Sequence, residues 1–380
     1  MASFREFNFH RKKWSPYLMD VFNRLHNMPE PGWQEIKTTS FLKDNLERLG
    51  YETITYHDCT GVLGVWGKGS FTVALRADMD ALCHQTDTGQ RMIHSCGHDA
   101  HMAMVLTAAA ALMELPLPAG TRVKIIFQPA EEKGEGALHL VEKGAVDDVS
   151  FLFGVHLRPG QELPGGQASP AILNGAAYLI NGEIQGVSAH GARPHLGVNV
   201  IEVAAALVQM LHALRWDPLQ PASIKMTRIN AGTEAGNIIP DRAVFTLDLR
   251  AQTNQQLKEL VQKVESVASN VAAAYGAVIT LTRGIDMPAA EVSKEARDIM
   301  ARAITDTVGP ENLAPPILTP GAEDFHFYTR LRPHIKATML GLGCDLYPGL
   351  HHPGMQFERA YLLDGAEILT RAVWYACTET

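Results

Sequence analysis

The sequence predicts an α/β protein, a mostly parallel mixed sheet flanked by helices, carrying an inserted smaller α+β domain. Three observations point there. Glycine-bounded apolar runs of strand length alternate with helical patterns in the first half of the chain, as in a parallel sheet covered on both faces. Between about residues 175 and 288 the pattern changes to a self-contained set of strands and helices. After Pro288 the α/β texture returns, so both ends of the chain contribute to the larger domain.

Helical periodicity opens the chain over Pro16 to Leu49. Leu18, Val21, Phe22 and Leu25, then Phe41, Leu42, Leu46 and Leu49, form an apolar stripe that closes at Gly50. Strands follow at Val62 to Trp66, Phe71 to Leu75, Thr121 to Phe127 and Phe151 to Val155, with a helix over Ala100 to Leu115. In the insert, Ala176 to Gly186, Ile224 to Ala231, Val244 to Arg250 and Ala277 to Thr282 read as strands. Val198 to Arg215 and Asn254 to Tyr275 read as helices. A helix over Ser293 to Val308, a Pro-rich connection, a strand near Lys336 to Leu342 and a helix over Ala360 to Ala376 complete the pattern. The expected domains are residues 1–174 with 289–380, and residues 175–288.

With 380 residues, 46% of them apolar, the chain can bury two cores. It carries 33 basic and 41 acidic residues, and no segment gathers Lys or Arg into a patch that tracks phosphates, so no nucleic-acid partner is expected. Met1 to Asp20 mixes Arg5, Glu6, Arg11, Lys12 and Lys13 with aromatics and offers no apolar stretch of signal-peptide length. The longest apolar segments are interrupted by Glu114 and Glu202, short of the roughly 18 uncharged residues of a membrane helix. A cytoplasmic protein is expected. The five cysteines are odd in number and scattered, which suits a reducing compartment. Cys59, Cys83, Cys344 and Cys377 read as small buried apolar residues, and Cys96 stands apart.

The chemistry lies where polar groups fall relative to the strands. Arg76 to Asp80 follows one strand, Glu131 and Glu132 follow another, and His156 ends a third. Sites in open α/β sheets form outside the carboxyl ends of strands, so three segments deliver acids or imidazole to one edge. Between them, Cys96 and His98 flank Gly97 in a loop that enters a helix. This pair can bind metal, can act as a Cys–His nucleophile pair, or can cap a helix N-terminus. In an extended segment Glu131 and Glu132 point to different sides, one to a metal and one to substrate; a solvated acidic turn is the alternative. His351 and His352 lie in a Pro- and Gly-bounded loop from which one can complete the site. His10, His26, His57, His84, His139, His212 and His334 read as surface or satisfied core residues, while His94, His101 and His326 stay open.

The motifs RADMDAL (Arg76 to Leu82), SCGHDAH (Ser95 to His101), QPAEE (Gln128 to Glu132) and GVH (Gly154 to His156) are followed by SAHGARPHLGV (Ser188 to Val198). GNIIPD (Gly236 to Asp241), GAEDF (Gly321 to Phe325) and LHHP (Leu350 to Pro353) complete the series. Together they resemble the hippurate hydrolase, aminoacylase and auxin-conjugate hydrolase branch of the carboxypeptidase-G-like metalloenzymes. Cys83 departs from the pattern, standing where relatives usually carry Pro.

The resemblance implies two divalent metal ions (Mn, Zn, Co or Ni) held by Cys96, His98, Glu132, His156 and His351, with Glu131 as general base. His351 is preferred over His352 because the family ligand stands two residues before the proline. The resemblance also implies that His190 stabilises the oxyanion from the small domain of a partner subunit, so that this domain is both the homodimer interface and a lid. Asn237 and Arg250 match positions that contact the substrate carboxylate, and His195 falls in the lid motif. The implied activity is hydrolysis of the amide bond of N-acyl amino acids or related conjugates. Competing readings are a metal-dependent dipeptidase or aminopeptidase, a cysteine hydrolase using Cys96, and a non-catalytic binding protein.

Overall fold

The computed structural model describes residues 7–86, 89–217 and 219–379. Residues 1–6, where the charged N-terminal stretch begins, lie outside them. In chain order the main elements are α1 (Arg11–His26), α2 (Ile36–Leu49), β1 (Glu52–Ile54), β2 (Val62–Gly67), β3 (Phe71–Asp78), β4 (Leu82–Thr86) and β5 (Gly89–Ile93). Then come α3 (His98–Leu112), β6 (Thr121–Gln128), α4 (Gly136–Glu142), β7 (Val149–Pro159), β8 (Ala168–Ser169), β9 (Ile172–Asn174), β10 (Ala176–Gln185) and β11 (Ala189–His190). They continue with α5 (Val200–His212), β12 (Ala222–Ala231), β13 (Ile238–Ile239), β14 (Arg242–Ala251), α6 (Asn254–Tyr275) and β15 (Val278–Met287). The chain closes through α7 (Lys294–Val308), β16 (Ile317–Thr319), α8 (His326–Leu331), β17 (Lys336–Leu346) and α9 (Leu362–Glu379).

The chain divides into two compact units, one of residues 1–173, 291–318 and 324–380, the other of residues 174–290 and 319–323. The first is built on a seven-stranded sheet ordered β1-β2-β6-β3-β7-β17-β8. Its four central strands are parallel, and β1, β2 and β8 pair antiparallel at the edges, so the sheet is mixed as expected. Helix α3 is buried along its whole length, which its Ala, Met and Leu content permits on every face. It packs between β3 and β7 on one side and α1 and α9 on the other. Phe22, Leu25, Leu42, Leu46, Phe127 and Phe153 are fully buried in this core, each contributing roughly 1.5–3 kcal/mol of burial.

The second unit is a four-stranded antiparallel sheet, β12-β14-β10-β15, with α5 and α6 packed against it. Burial along β14 alternates strictly, as a strand covered on one face requires. Asn199 caps α5 by accepting from Ile201 N at 3.1 Å, and Thr253 caps α6 by accepting from Gln256 N at 3.1 Å.

Three local expectations are corrected. The helical stretch over Pro16 to Leu49 is two helices, because Pro29, Pro31 and Gly32 interrupt it and α2 starts afresh at Ile36. Residues 82–93 form the β4–β5 hairpin, which places Cys83 on an exposed face rather than in a core, and Cys59 is only partly buried. Glu131 and Glu132 lie in a one-turn 3-10 segment, Glu131–Lys133, not in extended chain. No helix among the described residues is long and apolar enough to cross a membrane.

Candidate metal centre

The site begins where the parallel strands end. Asp78, at the end of β3, is in register with Gln128, at the end of β6, and β7 carries His156. Behind this edge the Arg76 guanidinium is fully buried and fully engaged. It donates to Gln128 Oε1 (2.9 Å), Asp78 Oδ2 (2.7 Å) and Asp324 Oδ1 (2.9 Å). Asp324 also accepts from Gln128 Nε2 and from Ala137 N at 2.9 Å, so each buried charge has partners and the strand ends are fixed to α4.

Gly97 opens α3 with φ of +86°, a conformation glycine adopts without strain, and a Cβ there would stand 2.9 Å from Leu157 Cδ1. This turn sends Cys96 and His98 into the site. On the next strand end, Ala130 takes φ of +53°, held by Glu35, whose Oε1 accepts from Ala130 N at 2.8 Å. The turn that follows brings both acids toward one imidazole: Glu131 Oε2 lies 3.9 Å and Glu132 Oε1 3.8 Å from His98 Nε2. His351, with φ of +63°, is tied to the Cys96 loop by its N–H donating to Ser95 O at 2.7 Å. Its Nε2 lies 3.3 Å from Glu132 Oε1. His352 instead turns to its own loop, accepting from Gly354 N at 3.0 Å.

The donors form two groups of three that share one sulfur, Cys96 with His98 and His156, and Cys96 with Glu132 and His351, the donor atoms in each lying within 4.8 Å of one another. Cys96 Sγ is 3.6 Å from His156 Nε2. Ring tautomers are set from outside the site. His156 Nδ1 donates to Leu157 O at 2.7 Å, leaving Nε2 with its lone pair inward. His98 Nδ1 faces Asp80 Oδ1 at 3.2 Å, so its Nε2 is the inward nitrogen. Asp80 also accepts from Glu131 N and Glu132 N at 3.2 and 3.0 Å, coupling the imidazole to the acidic turn.

His98 Nε2 and Glu132 Oε1 are buried and make no hydrogen bond in the protein. Buried polar atoms left this way are costly unless a ligand serves them. The electrostatics favour a cation here. Burial opposes charge on His98, but Asp78 and Cys96 outweigh it and raise its pKa well above the ordinary value. Cys96 and Glu132 push His351 up to about 10. Thiolate, imidazole and carboxylate donors converging where positive charge is favoured fit divalent metal ions.

Other residues resolve by their contacts. Both nitrogens of His101 are occupied, Nδ1 by Asp78 at 2.7 Å and Nε2 by Leu157 N at 3.0 Å, which makes it a brace. His326 is buried and lowered to about 3 by burial and Arg76. His94 is buried with neither nitrogen hydrogen-bonded. His190, His195, Asn237 and Arg250 belong to the second unit; the first three are exposed, and Arg250 holds Asp248 through two hydrogen bonds at 2.7 and 3.0 Å. Contacts the motifs do not single out are Glu35, His26 paired with Asp99 at 2.6 Å, and His84 bonded to Ser95 Oγ at 2.7 Å. Each partner is distant in sequence, so no local pattern announces it.

Comparison with known proteins agrees with this architecture. The chain belongs to peptidase family M20/M25/M40, whose model matches residues 74–375. It is 31% identical to the IAA-amino acid hydrolase ILR1-like 2 of Arabidopsis thaliana, over 93% of this chain and 83% of that one. It is 29% identical to the N-acetyl-L-cysteine deacetylase of Bacillus subtilis, over 93% of this chain and 86% of that one. Among solved structures, a dinuclear metal-binding M20 peptidase of Bacillus subtilis superposes with a TM-score of 0.82 at 25% identity, covering 96% of this chain and 99% of that one.

Proposed function

We propose that this chain is a metal-dependent amidohydrolase that cleaves N-acyl amino acids or related amide conjugates with an activated water. Two divalent cations would be held by Cys96, His98, Glu132, His156 and His351. The observation that carries this reading is the pair of three-residue donor groups sharing the Cys96 sulfur. It is supported by relatives named as hydrolases of IAA-amino acids and N-acetyl-L-cysteine, and by a similar structure described as a dinuclear peptidase. When bound, such cations lower the pKa of a water and polarise the scissile carbonyl. Mn, Zn, Co and Ni all suit so mixed a donor set.

Glu131 is the general base and then acid. It is largely buried and its Oε2 lies 3.9 Å from His98 Nε2, while Glu132 is the acid assigned to the metal. It takes the proton of the attacking water and returns it to the departing amine nitrogen. Asp80 holds His98 and the Glu131–Glu132 backbone in mutual register. A cysteine-hydrolase mechanism fits less well, because burial and Glu132 raise the Cys96 thiol when a nucleophile needs it lowered.

Residues 1–174 with 289–380 form the catalytic domain in this reading, and residues 175–288 the dimerisation and lid domain. His190 of a second copy supplies the oxyanion donor, and Asn237 and Arg250 receive the substrate carboxylate. The exposure of His190 beside the exposed apolar residues Val187, Leu196, Ile201 and Ile238 supports an interface there. Five free cysteines suit the cytoplasm.

The test is a panel of N-acetylated and longer N-acyl amino acids against unblocked dipeptides, assayed with metal-reconstituted protein. Turnover of the acyl amino acids, abolished by a chelator and restored by Mn²⁺ or Zn²⁺, is expected. Preference for unblocked dipeptides would replace the reading with the dipeptidase or aminopeptidase alternative.

A further inference from the structure

A second gathering of metal-binding side chains lies outside the centre just described. Asp58 and Cys59 stand in the loop between β1 and β2, and His139 comes from α4. Their donor atoms lie within 4.8 Å of one another, with His139 Nε2 3.8 Å from Asp58 Oδ2. Donors around one tetrahedral zinc ion stand about 3.3–3.6 Å apart, so small side-chain rotations close the shell.

His139 Nε2 is buried and makes no hydrogen bond. Its ring is oriented by packing: Trp33 meets it edge-on with ring centroids 5.4 Å apart, and the Trp33 indole N–H is itself fixed by Glu135 at 3.0 Å. A positive charge already rests beside the group, since Lys143 Nζ lies 2.5 Å from Asp58 Oδ2.

We propose that Asp58, Cys59 and His139 form a zinc site distinct from the catalytic centre, with water as the fourth ligand. Burial and Asp58 push the Cys59 thiol up to about 11, so binding releases its proton to solvent. It also displaces the Lys143 ammonium from Asp58, and no electron changes hands. The site ties the β1–β2 loop to α4, which starts three residues beyond the Glu131–Lys133 turn.

The test is a Zn²⁺ titration of metal-stripped full-length protein against a chromophoric chelator. The wild type should take up one equivalent more than Cys59→Ser and one more than His139→Ala. All three proteins share the catalytic centre, so the difference stands however that centre is occupied. Lys143→Ala, which removes the competitor for Asp58, should tighten the extra equivalent about two- to fivefold. As a second readout, Co²⁺ bound in a Cys96→Ser background should keep a thiolate charge-transfer band that vanishes on adding Cys59→Ser. Equal zinc uptake by the three proteins, or no such band, overturns the proposal.

Discussion

Glu131 and Glu132 are adjacent in sequence and both lie within 4 Å of His98 Nε2, and Glu132 Oε1 also stands 3.3 Å from His351 Nε2. In the proposed reading Glu132 is the ligand and Glu131 the base. Glu131→Gln should therefore leave bound metal unchanged while kcat falls about 10²- to 10⁴-fold, measured by metal analysis and turnover on one preparation. Near-normal turnover would remove Glu131 from its role. His84 acts at one remove: it bonds Ser95 Oγ, and Ser95 O accepts the His351 N–H, so one residue joins two donor loops. His84→Ala should weaken metal affinity by roughly tenfold, with His84→Gln recovering part of it. The candidate donors themselves were legible in the motifs. His84 and Glu35 were not, because their meaning comes from partners 11 and 95 residues away.

At the level of elements, the site is carried by three tight departures from regular structure: Gly97 before α3, Ala130 before the acidic turn, and His351. Backbone held this way is affordable only where surrounding contacts fix it. Gly97→Ala adds a methyl group 2.9 Å from Leu157 and forces positive φ on alanine, so it should destabilise the fold by about 1–3 kcal/mol and weaken metal binding. Denaturant midpoints and metal titration would measure both; an unchanged midpoint would contradict the packing described. Strands β3, β6 and β7 were readable as apolar runs. The β4–β5 hairpin was not, since Leu82 to Ile93 alternates few apolar residues, and the turn at Glu131 reads as extended chain from sequence because positive φ at an alanine leaves no trace in composition.

Across the whole molecule, stability and assembly answer to different surfaces. Burial opposes charge on Asp148, but pairing with Lys124 and Arg122 outweighs it and holds the carboxyl below its ordinary value. A folded pKa below the unfolded one stabilises at pH above about 3.9, and that contribution is lost as pH falls through the folded value. The pair is partly exposed, so the effect should stay below about 1 kcal/mol. Asp148→Asn should flatten the acid limb of a stability–pH curve; an unchanged limb would show the pair contributes nothing. For the proposed shared site, mixing His190→Ala with Glu131→Gln subunits should restore roughly a quarter of wild-type activity through random pairing. Two folded variants that stay inactive when mixed would count against a site completed by the second copy.

The sequence by itself determined the fold class, the change of texture near residues 175 and 288, and the identity of the candidate donors, because each is a local pattern of period, turn chemistry or motif. Tertiary structure decided which imidazole nitrogens face inward, that His101 is a brace, that both glutamates reach one histidine, and that Asp58, Cys59 and His139 meet at all. Those outcomes depend on distances between residues far apart in the chain. Such distances are set by how helices and strands pack, a property of the whole core rather than of any segment.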